Sequence, residues 1–394
     1  MLLSVSLILL LGMFLGFLCK KVHLPALCGM LLTGVLLGPA VFDLIDPSIL
    51  NISADIRKIA LVVILTRAGL SLDLTDLKKI GRPALLMCAL PATAELVGCL
   101  IFAPRFFGLT LTEAAILGAV LAAVSPAVVV PRMIHLMETG YGTGKGIPQL
   151  ILAGASVDDV YVIVLFTTFM GMAQGNKVSV MSFVNIPISV VLGILAGLLL
   201  GTCFGIFFEK LHIRDTAKMM ILLSASLLLC VAENALTTPI TFSSLIAVMF
   251  IGYGLKRRRA QVAERLSVRF NKVWVGAEIF LFVLVGASVN ISYLGKVGFT
   301  AVALIILALL VRMLGVLLCM LGTPFNGKER LFCMLAYTPK ATVQAAIGGL
   351  PLAAGLACGE AVLTIAVLAI VLTAPLGAFA IDFTYHRLLE KNTK

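Results

Sequence analysis

Long apolar runs, separated by short clusters of charge, proline and glycine, follow one another along the whole chain. Bounded by those clusters, they fall at about 2–19, 24–42, 57–72, 82–103, 112–137, 147–172, 179–208, 216–233, 238–255, 272–290, 294–321, 328–354 and 357–383. A helix needs about 20 residues to cross a bilayer, and most of these runs supply that length. Their apolar residues are continuous rather than alternating, which excludes a β-barrel. The pattern predicts an all-α polytopic membrane protein of about 13 transmembrane helices, with no soluble domain. The longest polar stretch is the basic segment 256–272, KRRRAQVAERLSVRFNK.

Composition agrees. Of 394 residues, 61% are hydrophobic and 12% charged, about half the charge an ordinary soluble domain carries. A net charge of +11 would suit an anionic partner, but its placement gives a simpler cause. Arg57, Lys58, Arg105, Lys177 and Lys296 fall in loops on one side, and Arg67, Arg312 and Lys340 lie within or at the ends of spans. The other lysines and arginines collect on the opposite side, the cytoplasmic one by the positive-inside rule. The partner is membrane lipid, not nucleic acid. This puts the N-terminus outside and the C-terminus in the cytoplasm, and the first run reads as an uncleaved helix rather than a signal peptide. Nine cysteines are scattered without metal or disulfide spacing, so they read as small buried thiols. His23, His135, His212 and His386 read as loop or tail residues.

Three features recur with a separation of roughly 215 residues. Pro25 and Gly38 return as Pro239 and Gly252. The third span ends in GLSLD (Gly69 to Asp73) and the tenth in GASVN (Gly286 to Asn290). Ser125-Pro126 interrupts the fifth span and Thr338-Pro339 the twelfth. These matches relate spans 1–6 (repeat one, about 1–172) to spans 8–13 (repeat two, about 216–385), with a linker helix at about 179–208. A shift of seven spans inverts the second copy. Inverted repeats with an interrupted helix in each half are the signature of a secondary transporter.

The sixth span, ILAGASVDDVYVIVLFTTFMG, holds Asp158 and Asp159 in the middle of apolar sequence. A carboxylate at that depth costs several kcal/mol, and two adjacent ones point about 100° apart on a helix. One can face a partner helix while the other faces a cavity, where a cation in need of oxygen ligands competes with a proton. Pro126 and Pro339 each remove a backbone donor and free carbonyls that a cation can use. Ser125, Thr338, Thr342 and Gln344 add polar groups, and Lys340 is placed to neutralise carbonyl ends. Glu95 and Arg312 occupy matching places in the two repeats; an intramembrane arginine stays protonated and needs an anion, Glu95 or Asp158. Glu233 and Glu278 are weaker candidates. Gly12–Gly16 permits close helix packing.

Taken together, LTRAGLSLD, SPAVVVP, GASVDDV and TPKATVQAA resemble monovalent cation:proton antiporters of the NhaA/NapA type, nearest the sodium/hydrogen exchanger subfamily B (NHA) branch, in a short bacterial-like form. The resemblance implies a homodimer and a core, including about 57–172 and 272–354, that moves by an elevator-like stroke. It implies that Asp159 is the essential cation and proton site, for sodium or lithium, with Asp158 as helper and no further cofactor. Arg312 stands where electrogenic members carry lysine. Since arginine cannot readily give up its proton, the expectation is electroneutral exchange with Glu95–Arg312 as a standing ion pair. The rival readings are a sodium-coupled organic anion symporter, an ion channel and an intramembrane aspartyl protease. The protease needs its two aspartates on separate helices, and here they are neighbours.

Overall fold

The computed structural model describes residues 1–22, 24–72, 81–174, 180–211, 213–235 and 242–391. His23, Asp73, Lys177, His212 and Pro239, used above, lie outside the described residues. The regular structure described is helical, apart from one isolated bridge between Tyr141 and Lys391. Among the described residues nine helices are long and apolar enough to cross a membrane, with Ala26–Leu37 and Thr342–Ala353 as shorter apolar segments. The expected count of about 13 is not reached by that measure. Ser53–Ser71 carries Asp55, Arg57, Lys58 and Arg67, and Ser244–Arg258 has only 15 residues.

The chain divides into two compact units, each assembled from separated stretches. The first comprises Met1–Asn51, Asp73–Phe169 and Phe282–Lys394, the second Ile52–Leu72 and Met170–Leu281. In the second unit small residues set the packing. Lipid tails are as apolar as leucine, so helices in a membrane gain by close backbone approach rather than by hiding from solvent. Gly193, Gly197, Gly201 and Gly205 recur every four residues along one face of Val180–Lys210. A Cβ on Gly193 would lie 2.7 Å from the Ser243 carbonyl; on Gly197 and Gly201 it would run into the carbonyls of Ala247 and Ile251. Gly69 meets the Met249 carbonyl in the same way, and Gly252 faces the Thr66 carbonyl. Helix Ser244–Arg258 is thus gripped by glycines on one neighbour and offers its own to another. Lys256 donates to the carbonyls of Ser71 and Leu72 at 3.1 and 2.9 Å, closing the end of Ser53–Ser71.

Eight helices of the first unit frame the rest of the description: α1 (Leu90–Phe107), α2 (Leu111–Leu121), α3 (Pro126–Thr139), α4 (Ile147–Ala173, whose last turn passes into the second unit), α5 (Ile291–Cys319), α6 (Gly327–Ala336), α7 (Thr342–Ile347) and α8 (Gly359–Leu388). Two helical paths break in mid-course, between α2 and α3 and between α6 and α7. Both open on the same device. Thr110 and Glu113 form a capping box ahead of α2, and Asn326 and Glu329 form one ahead of α6. Each satisfies two of the N–H groups that a helix start leaves bare. Glu329 also binds Lys145, in the turn before α4, at 2.8 Å. That hydrogen bond holds the Lys145 ammonium above its ordinary range. Gly16 packs on the Ala26 carbonyl, and Gly29 runs against the backbone of Leu15 and Gly16. The Gly12–Gly16 face is therefore used within the chain.

The glycine stripe yields a direct test. Gly197→Ala places a methyl on the Ala247 carbonyl and should cost about 1–3 kcal/mol, the usual range for overpacking, lowering the melting temperature in detergent. Gly276→Ala, in mid-helix with open space around it, should not lower the melt, because alanine there gains about 0.5–1 kcal/mol over glycine.

Candidate functional site

The two helix breaks meet. Ser125 N–H donates to the Pro339 carbonyl at 2.7 Å, joining one interruption to the other. Each break leaves a helix C-terminus with bare carbonyls, and in a membrane each unsatisfied group costs several kcal/mol. Side chains from elsewhere cover them. Lys340 Nζ donates to Leu121 O, Arg312 to Ala122 O, and Gln344 Nε2 to Ala123 O at 2.8 Å. Arg312 Nε also takes the Tyr337 carbonyl, at the end of α6, at 2.7 Å. Two cations therefore face the negative ends of two half-helices, the placement the helix dipole favours. Lys340 does meet a carbonyl end, and the freed carbonyls of Leu121, Ala122 and Ala123 each accept from a side-chain donor.

The anions follow from the cations. Arg312 Nη1 reaches Glu95 at 2.9 Å and Nη2 reaches Asp158 at 3.3 Å. Lys340 Nζ lies 2.7 Å from both carboxylate oxygens of Glu95. All four side chains are fully buried. Arg312 came into view as the partner of Glu95 or of Asp158; it serves both. Lys340 came into view only as a cap for carbonyls, and its ion pair with Glu95 joins α1 to the second break. Tyr337, not singled out in the sequence, packs its ring 5.2 Å from the Arg312 guanidinium and donates its hydroxyl to the Met87 carbonyl at 3.2 Å. Thr373 on α8, likewise unforeseen, accepts the Lys340 backbone N–H at 3.0 Å. A tyrosine two residues before a proline break, and a threonine amid the apolar run of α8, were the available signals.

Within this cluster two anions balance two cations, and Asp159 is left over. Asp158 Oδ2 accepts from the Val124 N–H at 2.8 Å as well as from Arg312. Asp159, the next residue on α4, makes no ion pair with any described residue, and its Oδ1 is buried without a hydrogen-bond partner. Asp158 Oδ1, Ser125 Oγ and Gln344 Oε1 are likewise buried and unpartnered. All four are oxygen acceptors, the kind of ligand a hard monovalent cation accepts. Thr338 instead turns its hydroxyl back to the Leu335 carbonyl at 2.8 Å. Thr342 is buried at the start of α7. Pro126 opens α3, and Pro339 contributes its carbonyl to the join. Glu233, bound to Ser244, and Glu278 both belong to the second unit.

The family model described as "Sodium/hydrogen exchanger, transmembrane" matches residues 5–385. The chain belongs to the sodium/hydrogen exchanger family. Within that family it is 36% identical over 388 residues to mouse sodium/hydrogen exchanger 9B2, covering 94% of this chain and 69% of the relative. It is 32% identical over 382 residues to human sodium/hydrogen exchanger 9B1, covering 94% and 73%. These likenesses place this exchanger-family chain in the NHA-like branch of the cation:proton antiporter superfamily, among transporters rather than enzymes. Its fold is that of the sodium proton antiporter MjNhaP1 from Methanocaldococcus jannaschii, with a TM-score of 0.83 at 21% identity over 98% of this chain and 97% of that one.

Charge balance in the cluster sets an expectation for stability. Glu95→Gln leaves Arg312 and Lys340 to share one anion, and breaking a buried ion pair from one side costs about 3–5 kcal/mol. A matching fall in the detergent melting temperature is expected. The double variant Glu95→Gln with Lys340→Met restores the balance and should recover part of the loss.

Proposed function

We propose that this chain exchanges sodium or lithium for protons across the membrane, with Asp159 as the group that carries each in turn and Asp158 as its helper. One observation carries the reading: beside the paired cluster, Asp159 makes no ion pair with any described residue, and its Oδ1 is buried without a hydrogen-bond partner. A lone carboxylate buried in protein is expensive as a bare anion. It is therefore occupied by a proton or by a cation, and the site crosses the membrane loaded with one or the other.

Stoichiometry follows from the same balance. Glu95, Asp158, Arg312 and Lys340 form a paired set of two anions and two cations, and arginine does not give up its proton under physiological conditions. Replacing one proton on Asp159 by one monovalent cation leaves the charge of the loaded site unchanged. The exchange is then electroneutral, one for one. The crossing takes place by an elevator-like stroke of the core, about 57–172 and 272–354, in a homodimer. The two repeats, about 1–172 and 216–385 about the linker helix 179–208, are inverted copies. The N-terminus lies outside and the C-terminus in the cytoplasm, in the cell membrane.

The test is proton flux in proteoliposomes under an imposed sodium, lithium or potassium gradient, with and without a clamped potential. Asp159→Asn should fold and melt as the parent does yet show no sodium-driven proton flux above that of empty vesicles. A parent current that follows the sodium gradient would overturn the one-for-one assignment. Normal exchange by Asp159→Asn would overturn the site itself.

A further inference from the structure

Gln344 lies in α7 with 1% of its surface exposed. Its Nε2 donates to the Ala123 carbonyl at 2.8 Å and to the Leu121 carbonyl at 3.3 Å. Turning the amide over would set its oxygen against two carbonyl oxygens, so the donors fix its orientation. The Ala123 carbonyl and the Val124 N–H are the two ends of one planar, trans peptide group and point in opposite directions. At the far end the Val124 N–H donates to Asp158 Oδ2, also at 2.8 Å. One peptide unit is thus held between an amide on α7 and a carboxylate on α4.

Residues 123–125 are non-helical, so no helical ladder steadies this peptide. Lys340 and Arg312 hold the carbonyls of Leu121 and Ala122, which leaves the one at Ala123 to Gln344. A donor on the carbonyl oxygen fixes the peptide plane and polarises the group, strengthening its N–H as a donor. We propose that Gln344 is a positioning residue of the exchange site. Acting through the Ala123–Val124 peptide, it holds Asp158 in place as the ionised partner of Arg312, so that Asp159 alone takes up the proton and the cation. This assignment rests on the function proposed above for Asp159. The other charged or titratable groups around Asp158 are Asp159 on its own helix, Arg312, Lys340, Tyr337 and Cys88. None of them supplies a donor to the Ala123 carbonyl.

Two variants test it, Gln344→Met and Gln344→Glu, in the full chain reconstituted in proteoliposomes. Methionine keeps the volume and removes both donors. Glutamate keeps one donor as the acid and none as the carboxylate. Exchange by Q344M should fall by about tenfold or more at every pH, the scale of losing a hydrogen bond in a charged network. Q344E should approach the parent rate at the acid end of the profile and sink to the Q344M rate at the alkaline end, reversibly within one preparation. A Q344M protein that exchanges like the parent overturns the proposal, and so does a Q344E-to-parent ratio that is flat with pH. Should Q344M fail to fold, the reversible pH response of Q344E decides alone, because a packing defect would not follow pH. Asp159→Asn in the same vesicles separates the two claims. Exchange surviving there removes the function proposed for Asp159, whereas a dead D159N beside a flat Q344E ratio removes only the role of Gln344.

Discussion

The guanidinium of Arg312 is the interaction on which the first unit turns. It joins the carbonyl end of α2, the carbonyl end of α6, Glu95 on α1 and Asp158 on α4. A planar group with five donors and a permanent charge can serve four acceptors in different directions; a lysine ammonium cannot match that fork. Without such a hub the breaks in the two helices would leave bare carbonyls in an apolar medium, where no water replaces the lost partners. Interrupted helices and the buried arginine are therefore one structural decision.

That decision constrains the chemistry. Fully burying charges is tolerable when they are paired and their remaining donors and acceptors are used. Glu95, Asp158, Arg312 and Lys340 are each paired, and in the proposed exchange they serve as fixed scaffold. Asp159 makes no ion pair with any described residue, and in the proposed exchange that difference between two adjacent aspartates is a division of labour. On the proposed reading, holding one carboxylate firmly is what leaves the other free to change its occupant.

The second unit solves a different problem. It lacks a comparable charged hub among its described residues and relies on backbone approach, with glycines every four residues set against the carbonyls of Ser243, Ala247 and Ile251. The stripe was readable from spacing alone. Among 35 glycines, though, the pattern has no meaning until the partner helix is known. The matching capping boxes at Thr110–Glu113 and Asn326–Glu329 were also readable, as polar residues three apart ahead of the two interrupted helices. They add a fourth correspondence to the three that indicated a repeat.

The sequence by itself determined the membrane class, the all-helical architecture, the two breaks at Ser125-Pro126 and Thr338-Pro339, and the few charged residues stranded in apolar helices. These are local matters of composition, periodicity and backbone chemistry, legible over windows of about 20 residues. It could not say which aspartate is compensated, since adjacent helical residues differ only in direction. Nor could it show that Lys340 binds Glu95, 245 residues away, or that Gln344 and Asp158 share one peptide. Those outcomes depend on where helices distant in the chain cross, and only the tertiary structure decided them.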